Sequence, residues 1–153
     1  RPPRSTLFPY TTLFRSQQSE QLPKPNGHYV IANSGISKDT LSVLSQAKKL
    51  ALSGMEKAIQ EAKIEKVTDL SLDNYHNYEY LMTPQERPYW FSTLENYRIT
   101  LNARRAMVAE HSSKVIGSLL SQHRYILNRY IKNTPEVMQA WMDQVIQEGA
   151  LGV

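Results

Sequence analysis

The chain has 153 residues, a formal net charge of +4 and no cysteine. This length fits one domain whose core needs no metal or disulfide to hold it together. The lack of cysteine excludes disulfides and thiolate chemistry, and no apolar run reaches the roughly 18 residues of a membrane-spanning helix.

The first sixteen residues, RPPRSTLFPYTTLFRS, resemble translated DNA rather than protein. They can be encoded by a string similar to a widely used short-read sequencing adapter. We therefore interpret residues 1–16 as an artefact, in preference to a natural Pro/Arg-rich segment, and expect the natural N-terminus to be missing. These residues bring three arginines and no acid, so the net charge without them falls from +4 to +1. Basicity then no longer indicates a nucleic-acid or membrane partner.

Residues 17–36 are predicted to be a flexible or extended lead-in to a single helical domain at 37–153. The β-prone run HYVIA occupies 28–32 of this lead-in. One strand cannot form a sheet alone, so we expect the run to lie extended on the helices. Asn33-Ser34-Gly35 predicts a turn directly after it.

A first amphipathic helix is predicted at about 38–65. Ser37 is a favourable N-cap, and Asp39 lies in the first turn, where the helix dipole favours an acid. Apolar residues recur at three- and four-residue steps, at Leu41, Leu44, Ala47, Ala51, Met55, Ala58 and Ile59. We interpret this stripe as core packing.

The stretch from 67 to 82 is acidic and rich in tyrosine, and fits either a short helix or an ordered loop. Its tyrosines are expected to cover apolar surface with their hydroxyls in water. Thr83 and Glu86 then form a capping box, with Pro84 at the first helical position, so a helix should begin here.

A long central helix is predicted from about 88 to 133. Nothing after Pro88 stops it, and Gly117 is a weak point that costs about 1 kcal/mol relative to alanine. Its apolar side carries Trp90, Leu94, Leu101, Val108, Val115, Leu119, Ile126 and Tyr130, four of which are spaced by seven as in a coiled coil. A helix of about 45 residues would span about 68 Å.

A last amphipathic helix is predicted at about 135–148, with Thr134 as its cap. Its apolar stripe consists of Val137, Met138, Trp141, Met142, Val145 and Ile146. The joint at 133–134 is so short that this helix must fold back on the end of the long helix. The sequence thus predicts an all-α, extended helical bundle in which two helices flank the halves of a long one, in preference to a compact four-helix bundle.

The other side of the long helix is basic. Between 96 and 133 there are seven lysines and arginines and one acid, whereas 68–95 and the last helix are acidic. The residues predicted to bind a partner are Tyr97, Arg104, His111, Lys114, Tyr125, Arg129 and Lys132. Three interpretations stay open: pairing with acidic segments of this chain or a second copy, docking of an acidic partner protein, or nucleic-acid binding. Arg98 and Arg105 lie beside the apolar side and are expected to pair internally.

No catalytic, cofactor or metal site is predicted. The sequence has no Glu-x-x-His pair, glycine-rich phosphate loop or nucleophile motif. His111 and His123 would lie about 120° apart on one helix and could not share a metal. We therefore expect a non-catalytic role in assembly or recognition, by analogy as part of a secretion, conjugation or virion apparatus. Nucleic-acid binding is the alternative.

Overall fold

The computed structural model describes residues 21–24, 26–36, 40–65, 69–70, 72–109, 113–132 and 134–153. Within these ranges the chain is all-α and contains no strand, which confirms the predicted fold class. Its helices are α1 (Thr40–Ala62), a 3-10 helix (Tyr75–Leu81), α2 (Arg87–Val108), α3 (Ser113–Ile126), a π-helical turn (Leu127–Ile131) and α4 (Glu136–Gln147). The adapter-like residues 1–16 and the predicted cap Ser37 with Asp39 lie outside the described residues.

A first core forms where the second half of α1 packs against the 3-10 helix and the first half of α2. Its buried residues are Ala58, Leu70, Tyr75, Met82, Trp90 and Leu94. Gly54 permits this close packing, because a Cβ there would lie 3.0 Å from the Met82 sulfur. The stripe predicted on the first helix therefore packs a core only over its second half. At its other end Leu41 is 82% exposed and Leu44 is 52% exposed.

Glu86 fastens the start of α2 to α1. The predicted capping box is confirmed, since the Thr83 N–H donates to Glu86 Oε2 (2.8 Å) and the Glu86 N–H donates to Thr83 Oγ1 (3.3 Å). The same buried carboxylate accepts hydrogen bonds from Lys57 Nζ and Ser53 Oγ, each at 2.6 Å. The bonds from Lys57, Ser53 and Thr83 lower the pKa of Glu86 from 4.5 to about 2. The carboxylate is therefore ionised at neutral pH and joins the two helices.

The prediction of one long helix over 88–133 is wrong, because the chain reverses between α2 and α3. The rings of Phe91, near the start of α2, and Tyr130, in the π turn, have centroids 4.5 Å apart. A straight helix would separate these residues by about 60 Å. The seam between α2 and α3 forms a second core, with Ile99, Ala106, Ile116, Leu119 and Ile126 buried.

Burial of apolar surface explains this reversal. Fully burying an isoleucine or leucine contributes roughly 1.5–3 kcal/mol, and a single rod would leave one side of each half in water. The seven-residue spacing does not mark a coiled-coil seam, because Val108 is 53% exposed and Val115 is 39% exposed. The sequence does hold one overlooked start signal, since Ser112 directly precedes α3 and serine is a favoured N-cap residue.

Of the two predicted flanking helices, α1 packs into a core with the first half of α2, whereas α4 lies beside α3 without contributing a buried residue. In addition to the contact between α1 and α2, α4 folds back along α3, where Arg124 and Asp143 form an ion pair at 2.9 Å. The prediction that the last helix folds back is therefore confirmed. Without a central rod, however, the extended arrangement is replaced by a hairpin with a helix on each half.

The residues after α4 run back over α3 at Gly117. The backbones of Leu151 and Gly152 lie so close to this glycine that a Cβ on Gly117 would overlap the Leu151 carbonyl group. Gly117 is therefore the position on α3 against which this segment packs, and not only a weak point in a helix. We call it the seat. We call residues 136–153 the α4 arm and residues 150–153 its tail.

Replacing Glu86 with glutamine should lower the free energy of unfolding at neutral pH by roughly 1–3 kcal/mol, because Lys57 would keep its charge beside a neutral amide. The pKa of Glu86 is lower in the folded chain than in the unfolded one. Its contribution is therefore present above about pH 4.5 and is lost as the pH falls to about 2. Urea unfolding at several pH values should show this loss in the wild type and in the exposed control Glu56→Gln, but not in Glu86→Gln. An unchanged acid profile in Glu86→Gln would contradict this assignment.

Replacing Gly117 with alanine should destabilise the chain, because the added methyl group displaces the tail. In a helix without this contact, the same substitution would stabilise by about 1 kcal/mol. The substitution should therefore become stabilising in a chain that ends at Gly149. Urea unfolding would measure the effect of Gly117→Ala on the free energy of unfolding in the full chain and in the chain that ends at Gly149. Equal stabilisation in both chains would show that the tail contact contributes nothing.

Candidate interaction surface

An apolar groove of about 900 Å³ lies between α3, the α4 arm and the extended lead-in. Its apolar wall from α3 and the arm consists of Ile116, Leu120, Met138, Trp141, Met142, Val145 and Leu151. The lead-in contributes the opposite wall, over residues 26–34. Among the described residues that line the groove there is no aspartate, glutamate, lysine or arginine. The groove is therefore an uncharged surface built from three separate parts of the chain.

The part of the lead-in that lines the groove is neither helix nor strand, and the run predicted to lie on the helices, at 28–32, is exposed. Gly27 lies beside α3, where a Cβ on it would be 3.6 Å from the Ser113 side chain. The predicted turn is confirmed by the Gly35 N–H, which donates to Asn33 Oδ1 at 3.0 Å. Between these points Val30 is 88% exposed and Ile31 is 99% exposed. The segment thus adds an exposed apolar edge to the groove.

The apolar stripe of α4 is only partly covered. Val137, Trp141 and Val145 are each about half exposed, and α4 has no buried residue. Contiguous exposed apolar side chains typically mark interaction sites. Its tryptophan and methionines are residue types enriched at interfaces. Only the structure shows that α3 leaves half of the stripe open.

The basic face predicted on the long helix is not one stripe. Its residues lie on α2 (Tyr97, Arg104), on α3 (Lys114, Tyr125) and in or after the π turn (Arg129, Lys132), while His111 lies outside the described residues. All six described residues are exposed. Tyr97 and Arg104 lie about half a turn from Ile99, which contacts α3, so they face away from that helix. The chain reversal therefore separates them from the other four.

Ion pairs within the chain neutralise part of this charge. Arg98 pairs with Glu95, which confirms its predicted internal pairing, and Arg124 pairs with Asp143. Arg105 instead donates to the neighbouring Asn102 amide oxygen at 3.5 Å. Among the described residues no partner is found for Lys114, Arg129 or Lys132. These three cations leave the region around α3 and the π turn basic.

A buried polar cluster joins the 3-10 helix to α2. The Tyr75 hydroxyl donates to Glu95 Oε1 at 2.6 Å, and Arg98 pairs with the other oxygen of this carboxylate. Burial, together with the hydrogen bond to Glu95, raises the pKa of the Tyr75 hydroxyl. The expectation that the tyrosine hydroxyls stay in water is therefore wrong for Tyr75, which is 1% exposed. The cluster fixes the position of the 3-10 helix.

His76 and Glu79 contact each other at 2.7 Å on the surface, and no group of three potential metal ligands occurs among the described residues. None of the described helices combines the length and apolar character needed to cross a membrane. No protein-family model, curated protein or solved structure matches the chain.

The groove should bind a small neutral apolar dye such as Nile red in the folded protein. Trp141→Gln should weaken the dye fluorescence by removing an apolar wall, with little change in stability because this side chain is already half exposed. Leu41→Gln provides a matched control, since Leu41 is exposed at the far end of α1. Equal fluorescence in the wild type and both variants would show that the dye does not report on the groove.

Proposed function

We propose that the protein is a non-catalytic helical assembly protein, which binds a protein partner through the apolar groove. The observation that carries this proposal is the half-exposed stripe of Val137, Trp141 and Val145 on α4. A half-exposed tryptophan with apolar neighbours is the residue type that contributes most to binding energy at interfaces. Val30 of the lead-in, which is 88% exposed, also lines this groove.

The separation of charge beside the groove supports recognition of a protein. Residues 113–132 contain four lysines and arginines and no acid, whereas the α4 arm contains three acids and no lysine or arginine. A partner with an acidic surface would be attracted to residues 113–132. This attraction would raise the association rate and the specificity more than the affinity. The apolar groove next to it would then supply the affinity.

The lining of the groove supports a non-catalytic role. General acid–base catalysis needs a positioned group that exchanges protons with a reacting atom. The described lining has His28 but no aspartate, glutamate, lysine or arginine side chain to pair with it. Binding without chemistry is therefore the simpler function for this surface.

Nucleic-acid binding is the second candidate. It is favoured by the exposed cations Arg129 and Lys132, four and seven residues after Tyr125, which is 60% exposed, and by exposed Lys114 about three turns earlier on α3. Cations that contact phosphates and an aromatic ring that stacks on bases are the usual means of binding single strands. The division of the basic residues between α2 and α3 makes this surface smaller than the sequence predicted.

We expect the chain from Gln17 to associate in a concentration-dependent way, or to bind a protein partner, in sedimentation velocity experiments. Trp141→Ala should weaken this association by at least about tenfold, as for a central interface residue, while Leu41→Ala should leave it unchanged. A wild-type protein that stays monomeric and captures no partner would contradict the proposal.

Titration with single- and double-stranded nucleic acid at low and moderate salt separates the second candidate from the first. Binding that falls steeply with salt, and that is lost in a Lys114→Ala, Arg129→Ala, Lys132→Ala triple variant, would favour nucleic acid. No binding even at low salt would eliminate it.

A further inference from the structure

The α4 arm is attached to the rest of the chain by few contacts. No residue of α4 is buried, and its stripe is half exposed. Among the described residues, the arm contacts α3 through the ion pair of Asp143, itself 60% exposed, with Arg124, and through the tail on Gly117. Exposed ion pairs contribute little to stability. The arm is therefore held mainly by the seat at Gly117.

The connection that folds the arm back is short and strained. The π turn ends at Ile131 and α4 begins at Glu136. At the start of this connection Lys132 has φ 54° and ψ 41°, the left-handed conformation that is unfavourable for a residue with a side chain. Short hinges under strain favour exchange of the following segment between copies, because an open hinge releases the strain.

The seat and the arm also have opposite charges. Residues 113–132 carry four basic residues and no acid, and the arm carries Glu136, Asp143 and Glu148 with no basic residue. The seat is made of α3 alone, so the arm of a second copy can occupy it with the same contacts. A second α4 arm is thus a ligand whose shape and charge already fit this surface.

We propose that two copies of this chain exchange their α4 arms, so that the tail of each lies on Gly117 of the other. This inference rests on the proposed assembly function, of which the dimer of exchanged copies is one form. The apolar groove keeps its lining in this dimer, but two copies now build it. One supplies the lead-in together with Ile116 and Leu120, and the other supplies Trp141 and Val145.

Cross-linking of mixed single-cysteine variants tests the exchange directly, because the chain has no cysteine of its own. Arg124→Cys and Asp143→Cys proteins would be mixed, refolded together and treated with a short bis-maleimide. About half of the exchanged dimers would then contain one copy of each variant. In these dimers the cysteine at position 143 of one copy lies beside the cysteine at position 124 of the other. A cross-linked dimer is the expected product. The double variant Arg124→Cys/Asp143→Cys shows that the reagent spans this distance.

A control pair comes from a contact that the exchange leaves within one copy. The Tyr80 hydroxyl donates to Glu61 at 2.9 Å, and both residues are exposed. A mixture of Glu61→Cys and Tyr80→Cys should therefore give no cross-linked dimer. Introducing Gly117→Val into both proteins of the first mixture should lower the yield of cross-linked dimer about tenfold, because the valine side chain occupies the space of the tail.

Absence of the cross-linked dimer in the first mixture would overturn the exchange, and sedimentation of the same samples then decides about the proposed function. A dimer without this cross-link would mean that copies associate through another surface, which leaves the assembly function standing. A monomer that still binds a different protein at the groove would also leave it standing. A monomer that binds nothing would end both proposals.

Discussion

The packing of the first half of the molecule depends on the hydrogen bonds that the buried Glu86 carboxylate accepts. Removing an ionised carboxylate from water is costly unless hydrogen-bond donors replace the water. Here Lys57 and Ser53 from α1 and the Thr83 N–H at the start of α2 supply those donors. The Glu86 carboxylate therefore completes the capping box before α2 and holds α1 against that end of α2. Trp90, one turn later, is completely buried as a consequence.

From this fixed start, α2 runs through two cores. Trp90 and Leu94 belong to the first core, Ile99 and Ala106 to the second, and Phe91 contacts both. The second core exists only because α3 turns back along α2, so the reversal lets one helix hold both halves of the molecule. Six residues of α2 are buried, whereas α4 has no buried residue and keeps its apolar stripe half open.

This difference in burial is the physical basis of the functional proposals. A stripe that α3 cannot cover, an exposed lead-in and a glycine seat for the tail all meet at the groove. The charges beside the groove are also separated, since the cations without a partner among the described residues lie on α3 and in or after the π turn, and the acids lie on the α4 arm. The apolar surface and the opposite charges both favour a protein as the occupant of this surface.

The sequence by itself determined the features that depend on neighbouring residues: the all-α class, the capping box at Thr83 and Glu86, the turn at Asn33, and the fold-back of the last helix. Each follows from backbone hydrogen bonding or helix periodicity within a few residues, so a single sequence carries the signal. The chain reversal after α2, the burial of Tyr75 and the open half of α4 were decided only by the tertiary structure. They depend on which apolar surfaces meet across the molecule, and periodicity along one helix is the same whether its stripe meets another helix or water.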